Sequence, residues 1–174
     1  MITRLLALVG LLALAQPAAA QDRENLLYLD LAQGRVVIQL RPDLAPAHVA
    51  RIKDLARQGF YDGHVFHRVI DGFMAQTGDP TGTGRGGSGR KLAAEFSRTP
   101  FERGVLGMAR SQDPNSADSQ FFIMFRAAPH LNGQYTVWGQ VIDGMQHVDK
   151  IKRGEPPRDP DRIVRLRVAA DVKD

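Results

Sequence analysis

Short apolar segments, separated by connections rich in glycine and proline, dominate this sequence from Leu26 to its C-terminal end. Within 35–41, for example, Val36, Ile38 and Leu40 alternate with mostly polar neighbours, which is the pattern of a strand with one buried face. The predicted strands are 26–31, 35–41, 65–70, 73–76, 105–109, 121–125, 136–142 and 163–168. Many short strands joined in this way predict a closed or sandwiched antiparallel sheet.

Two stretches have helical spacing instead. Pro46 suits the first turn of a helix, and apolar residues then recur at helical intervals until Gly59 ends the pattern. A second, shorter helix is predicted over 145–151. The chain has 174 residues, which is enough for one domain with a sizeable core but short for two. We therefore predict a single β-dominated domain over 21–174.

Composition excludes several classes of function. The sequence contains no cysteine, so it has no disulfide framework, no thiol nucleophile and no cysteine-based zinc site. Its formal net charge is +4, but the basic residues are scattered along the chain and no run of them indicates a nucleic-acid-binding arm. We interpret this charge as a feature that favours solubility.

The first twenty residues are typical of a secretory signal peptide. Arg4 supplies a positive start, 5–15 is small and apolar, and Ala18 and Ala20 provide the small side chains of a cleavage site. The apolar run is too short for the roughly 20 residues of a membrane span. We predict cleavage after Ala20, no membrane span in the cleaved chain, and export to a bacterial periplasm, with secretion as the alternative.

Three local motifs suggest other functions but lack the context that those functions need. The run 82–87 matches G-x-G-x-x-G, yet no apolar strand precedes it and no helix follows it, so nucleotide binding is not indicated. Ser88 lacks the setting of a nucleophile elbow, which argues against a hydrolase. His64 and His67 have no further ligands at a recognised spacing, so no metal site is predicted.

Four segments combine polar and large apolar side chains in a way that points to one site. They are Phe66-His67-Arg68, Gly72-Phe73-Met74-Ala75-Gln76, Met108-Ala109-Arg110 and Ser119-Gln120-Phe121-Phe122-Ile123. On alternating strands they would bring an arginine, two amide side chains and several apolar groups around one depression. Each residue type taken singly is more often core or solvated surface, so the indication comes from their joint occurrence.

In this order and spacing, the four segments resemble those of cyclophilin-type peptidyl-prolyl cis-trans isomerases, particularly the bacterial periplasmic members. Leu131-Asn132-Gly133 followed by Val137-Trp138-Gly139 adds a fifth matching motif, and the resemblance extends over about 26–168. It implies a mainly β fold, namely a closed eight-stranded antiparallel β-barrel capped by two α-helices. It also implies a monomeric enzyme without metal or cofactor that accelerates rotation about Xaa-Pro peptide bonds.

The resemblance assigns roles to individual residues. Arg68 matches the main catalytic arginine of the family. The lining of the family's proline pocket is matched by Phe73, Met74, Phe122 and Leu131. The polar groups beside that pocket are matched by Gln76 and Gln120, and the backbone segment that holds the peptide is matched by Ala109 and Arg110.

Two positions differ from many relatives. Tyr135 stands where a pocket histidine is common, and its ring and hydroxyl keep it among the predicted substrate-binding residues. His130 stands where a tryptophan that contributes to cyclosporin binding is common, so weak inhibition by cyclosporin is predicted. Trp138, the single tryptophan, is predicted to be a core residue instead.

The implied partners are unfolded or partly folded polypeptides that contain proline, and export would make exported proteins the substrates. A fold does not by itself fix a function. A second interpretation therefore stays open at this point, in which the chain is a cyclophilin-fold peptide-binding or chaperone module with incidental isomerase activity.

Overall fold

The structure is a computed structural model that describes residues 22–173, and these residues fold mainly into β-structure. The strands are β1 (Leu26–Leu31), β2 (Gly34–Leu40), β3 (Arg68–Ile70), β4 (Met74–Thr77), β5 (Val105–Met108), β6 (Phe121–Met124), β7 (Val137–Asp143) and β8 (Ile163–Val168). The helices are α1 (Pro46–Arg57) and α2 (Met145–Val148). The predicted order of strands and helices is confirmed. The predicted signal peptide over 1–20 lies outside the described residues.

All eight strands form one curled antiparallel sheet in the order β3-β4-β6-β5-β7-β2-β1-β8. The outer strands are β3 and β8, and the chain at β3 and the chain before β8 meet, among the described residues, at two isolated bridges, Val65–Arg162 and Val69–Gly154. The regular part of β3 is only three residues long, because the chain before Arg68 runs beside Asp161 and Arg162 instead. The fold is therefore a curled half-barrel, and the prediction of a fully closed barrel was overstated.

The main core fills the concave side of this sheet. Alternation along β1 and β2 buries Leu29 and Ile38, and α1 adds Ile52 from its inner face while it packs against β8. Trp138 is fully buried, and its ring lies edge-on to the ring of Phe121 with the centroids 5.3 Å apart. The prediction that Trp138 is a core residue is confirmed.

A carboxylate from a distant loop caps the N-terminus of α1. Ala45 at the N-cap has no side-chain acceptor, and the Glu95 carboxylate accepts instead from the backbone N–H groups of Ala47 and His48, both at 3.0 Å. The Glu95 N–H in turn donates to Thr136 Oγ1 at 3.0 Å, which ties this loop to the start of β7. Within residues 22–173 no helix is long and apolar enough to cross a bilayer.

Candidate active site

A groove of about 700 Å³ lies over β3, β4 and β6, on the face of the sheet opposite the main core. Nine of the ten predicted site residues line it: Arg68, Phe73, Met74, Gln76, Ala109, Arg110, Phe122, Leu131 and Tyr135. The tenth, Gln120, lies behind Gln76 and accepts a hydrogen bond from Gln76 Nε2 at 2.9 Å. The structure thus brings together side chains that are up to 67 positions apart in the sequence, from Arg68 to Tyr135.

Strand register places the polar and apolar parts of the groove side by side. Arg68 is directly opposite Gln76 in the β3–β4 pair, and Gln76 is opposite Phe122 in the β4–β6 pair. Side chains that are opposite each other share one face of a sheet, so the three form a row. Arg68 Nη1 donates to Gln76 Oε1 at 3.4 Å, which is a long contact.

A second, smaller apolar cluster forms the floor and one wall of the groove. The ring of Phe122 stacks on that of Phe101 at 5.7 Å and meets the ring of Tyr135 edge-on at 5.8 Å. Gly107 is opposite Phe122 in the β5–β6 pair, and a Cβ at Gly107 would overlap the rings of Phe101 and Phe122. Glycine is therefore required at Gly107 for these rings to pack. Phe101 belongs to none of the motifs found in the sequence.

The glycine-rich loop that resembles a nucleotide-binding motif forms another wall of the groove. Asp79, which is 1% exposed, accepts from the backbone N–H groups of Thr81 at 2.7 Å, Thr83 at 3.1 Å and Gly84 at 2.6 Å. Gln120 Nε2 donates to the carbonyl oxygen of Gly84 at 3.0 Å. The loop is thus organised around a carboxylate of the protein itself, with Thr83 and Gly84 at the groove.

This arrangement predicts a loss of stability in acid. Burial raises the pKa of Asp79, but the hydrogen bonds from Thr81 and the loop backbone outweigh that effect and lower the pKa from 3.8 to about 2. The resulting stabilisation, about 2 kcal/mol, is present above pH ~4 and is lost as the pH falls towards ~2. Urea unfolding at a series of pH values measures it, and Asp79→Asn is expected to flatten the profile between these limits.

Asp54→Asn provides the matched control, because Asp54 is exposed on α1. It should leave the acid dependence as in the original chain. An Asp79→Asn variant whose unfolding free energy falls as steeply as that of the original chain would contradict this account of the loop.

The side chain of Arg110 fixes the neighbouring wall. Its Nε and Nη2 donate to the carbonyl oxygen of Gln134 at 3.0 and 2.7 Å, and its guanidinium lies 4.5 Å from the ring centroid of Tyr135. Only the backbone of Arg110 was predicted to hold the peptide. The structure adds a contact between its side chain and Tyr135 that holds this ring at the groove. The ring of His130 lies 5.6 Å from the ring of Phe73, which lines the groove. Weak inhibition by cyclosporin stays a prediction.

The segment around Glu155 contributes to the site and was not predicted from the sequence. Glu155 and Pro156 line the groove, and Glu155 Oε1 accepts from Arg68 Nε at 2.8 Å. His67, Gly82, Thr83 and Gly84 are the other lining residues that were not predicted. An acidic residue before two prolines is not a recognisable motif, so only the pairing of this segment with β3 reveals its position.

Comparison with known proteins agrees with this geometry. A family model described as "Cyclophilin type peptidyl-prolyl cis-trans isomerase/CLD" matches residues 26–168. The chain belongs to the cyclophilin family. The match covers nearly all of the described residues. The chain as a whole therefore has the mainly β fold and the peptidyl-prolyl isomerase activity of the family.

Relatives from several organisms support the assignment. This cyclophilin is 54% identical over 175 residues to a Brucella suis protein named "Probable peptidyl-prolyl cis-trans isomerase", covering 91% of this chain and 89% of that protein. It is 42% identical over 123 residues to peptidyl-prolyl cis-trans isomerase B of Bacillus subtilis, covering 70% and 85% of the two chains.

Solved structures show the same fold. A cyclophilin from Hirschia baltica superimposes with a TM-score of 0.81 at 30% identity, covering 87% of this chain and 76% of that one. A cyclophilin-type isomerase from Cryptosporidium parvum, solved in the presence of the dipeptide Ala-Pro, gives a TM-score of 0.76 at 32% identity. That alignment covers 82% of this chain and 98% of the other.

Proposed function

We propose that this cyclophilin is exported and accelerates Xaa-Pro isomerisation in unfolded or partly folded exported polypeptides, with Arg68 as its main catalytic group. The peptide C–N bond resists rotation with a barrier of about 18–20 kcal/mol, although the cis and trans forms of Xaa-Pro differ by only about 0.5–1 kcal/mol. Uncatalysed exchange takes tens of seconds and limits folding. A catalyst needs only to stabilise the twisted state, because no bond forms or breaks.

The observation that carries the proposal is the position of Arg68 beside an apolar pocket. Its guanidinium lines the same groove as Phe73, Met74, Phe122 and Leu131. In the twisted state the proline nitrogen loses its conjugation and becomes a better hydrogen-bond acceptor. A guanidinium is always charged and has five N–H donors, so its hydrogen bond to that nitrogen strengthens as the twist develops. Such binding favours the transition state over the ground state.

The remaining residues hold the peptide around this arginine. The apolar pocket fits a proline ring and excludes water from it, because its members are largely buried against Phe101 and Val137. The amide of Gln76 and the backbone at Ala109 and Arg110 face the same groove, where they provide hydrogen-bonding groups for the flanking peptide. The bound part of the peptide then stays in place while the part on the other side of the Xaa-Pro bond rotates.

An assay of wild-type protein tests the proposal against the binding-module alternative. The chain from Gln21 to Asp174 is mixed with an Ala-Pro peptide, and cis-to-trans relaxation is followed with increasing protein concentration. A rate that rises in proportion to the protein supports catalysis. Peptide binding without any acceleration would favour the binding or chaperone module instead.

Export is proposed from the leader over 1–20, with its positive start, apolar run and small cleavage-site residues. The full-length chain is expressed in a Gram-negative host, the cell is fractionated, and the mass of the product is measured. We expect a periplasmic protein that begins at Gln21. A variant with Arg4→Glu and two leucines of the apolar run replaced by aspartate should stay in the cytoplasm uncleaved, and equal distribution of both proteins would contradict export.

A further inference from the structure

Glu155 lies beside the proposed catalytic arginine because of a short backbone pairing. The N–H of Val69 donates to Gly154 O, and the N–H of Gly154 donates to Val69 O, both at 2.8 Å. In this antiparallel bridge the next pair of residues is Arg68 and Glu155. The position is specified by Gly154, whose φ is 145° and where a Cβ would lie 2.6 Å from Pro157 Cα.

The guanidinium of Arg68 is consequently bound from two sides. Glu155 Oε1 accepts from Nε at 2.8 Å, and Gln76 Oε1 lies 3.4 Å from Nη1 on the opposite side. A guanidinium is planar and its donors form a rigid fork, so partners at two of its nitrogens define the orientation of the plane. Neither of these hydrogen bonds uses the donors of Nη2, which remain for a substrate.

We propose that Glu155 is a positioning residue that holds the Arg68 guanidinium in the orientation needed to meet the twisted Xaa-Pro bond. The inference rests on the proposed catalytic role of Arg68. Gln76 alone cannot fix the plane, because its contact with Arg68 is long. Glu155 contributes the short, charge-assisted hydrogen bond of the two.

The ion pair between Arg68 and Glu155 should be stronger when a peptide is bound than in the free protein. The side chains of Arg68 and Glu155 are 44% and 55% exposed, and ion pairs with such exposure contribute little to the stability of a fold. A peptide in the groove displaces water from the pair and strengthens their electrostatic attraction. Removing the carboxylate should therefore affect the bound complex much more than the stability of the free protein.

Two opposite effects of the carboxylate can be separated by experiment. A positioning residue raises kcat, since misorientation of a catalytic group lowers the rate of the bound complex. A carboxylate that merely neutralised Arg68 would lower kcat, because it would weaken the attraction of the guanidinium for the proline nitrogen. Glutamine separates the two, because its amide oxygen accepts the Nε hydrogen bond without a negative charge.

The experiment compares Glu155→Ala and Glu155→Gln in the cis-to-trans assay, with KM and kcat measured separately. We expect alanine to lower kcat about fivefold with KM changed less than about twofold, and glutamine to restore at least about half of the activity. The Arg68 Nε–H signal in NMR should exchange with water faster in the alanine variant than in the other two proteins. Asp159→Ala is the matched control, because this exposed carboxylate pairs with Lys152 at 2.6 Å in the same segment.

Arg68→Ala and the Arg68→Ala/Glu155→Ala double variant separate this inference from the proposed function. If Arg68→Ala is as active as the original chain, the catalytic assignment itself fails. If Arg68→Ala is inactive while Glu155→Ala keeps full or increased kcat, or changes only KM, the positioning role of Glu155 is overturned. A loss in Glu155→Ala that is absent in the Arg68→Ala background supports it.

Discussion

Arg68→Ala is expected to lower kcat/KM for an Ala-Pro peptide by at least about 100-fold, because it removes the guanidinium that lines the groove beside the apolar pocket. The side chain is 44% exposed, so its loss should leave the free energy of unfolding nearly unchanged. Relaxation of the peptide and urea unfolding of the same preparation measure the two quantities.

Arg35→Ala is a matched control for this substitution. Arg35 is 48% exposed and pairs with Asp30 at 2.7 Å on the β1–β2 hairpin, away from the residues that line the groove. It should keep full activity. Activity of Arg68→Ala close to that of Arg35→Ala would remove Arg68 from the mechanism, whereas the family assignment would still stand on the fold and the sequence match.

Phe122→Ala is expected to weaken peptide binding at least about tenfold and to lower the free energy of unfolding by about 3 kcal/mol. The ring is 5% exposed, and it packs on Phe101 and Tyr135 in the apolar cluster below the groove. Its removal opens the pocket that would receive the proline ring and leaves a cavity. Binding is measured by titration with the peptide, and stability by urea unfolding.

The neighbouring residue on the same strand supplies the control. Phe121 points to the opposite face of β6, where it is fully buried against Tyr61 and Trp138 in the main core. Phe121→Ala should cost a similar amount of stability but change peptide affinity much less, provided that binding is measured where both variants are folded. Equal affinities for the two variants would contradict the assignment of Phe122 to the pocket.

Most of the strand pattern could be predicted because burial on one face leaves a period of two in the sequence. The runs 26–31 and 163–168 were predicted with their observed bounds, and the other strands except β3 differ by one residue at one or both ends. In the predicted strand 65–70, the first residues pair with the chain around Arg162 rather than with β4. The segment with which a strand pairs can lie far away in the sequence, so the periodicity of the strand itself could not reveal it.

The same limit applies to the site. The apolar and amide residues on β4 and β6 belong to motifs that resemble those of a known family, and the structure brings them to one groove. Phe101 and Glu155 belong to no such motif. Phe101 packs on Phe122, which lines the groove, and Glu155 reaches the groove through the pairing beside Val69. Asp79 organises a loop whose glycine spacing resembles a nucleotide-binding motif, and only its hydrogen bonds reveal its structural role.

The sequence by itself determined the mainly β architecture, the family and nine of the residues that line the groove, because alternation and local motifs are properties of neighbouring residues. The tertiary structure alone decided that the sheet is a half-barrel whose two edge regions meet at isolated bridges. It also decided that Arg68 lies between Gln76 and Glu155. These features arise from pairings between segments far apart in the sequence, such as Arg68 and Glu155, which are 87 positions apart. Such pairings are fixed by the register and curvature of the whole sheet, which no local pattern encodes.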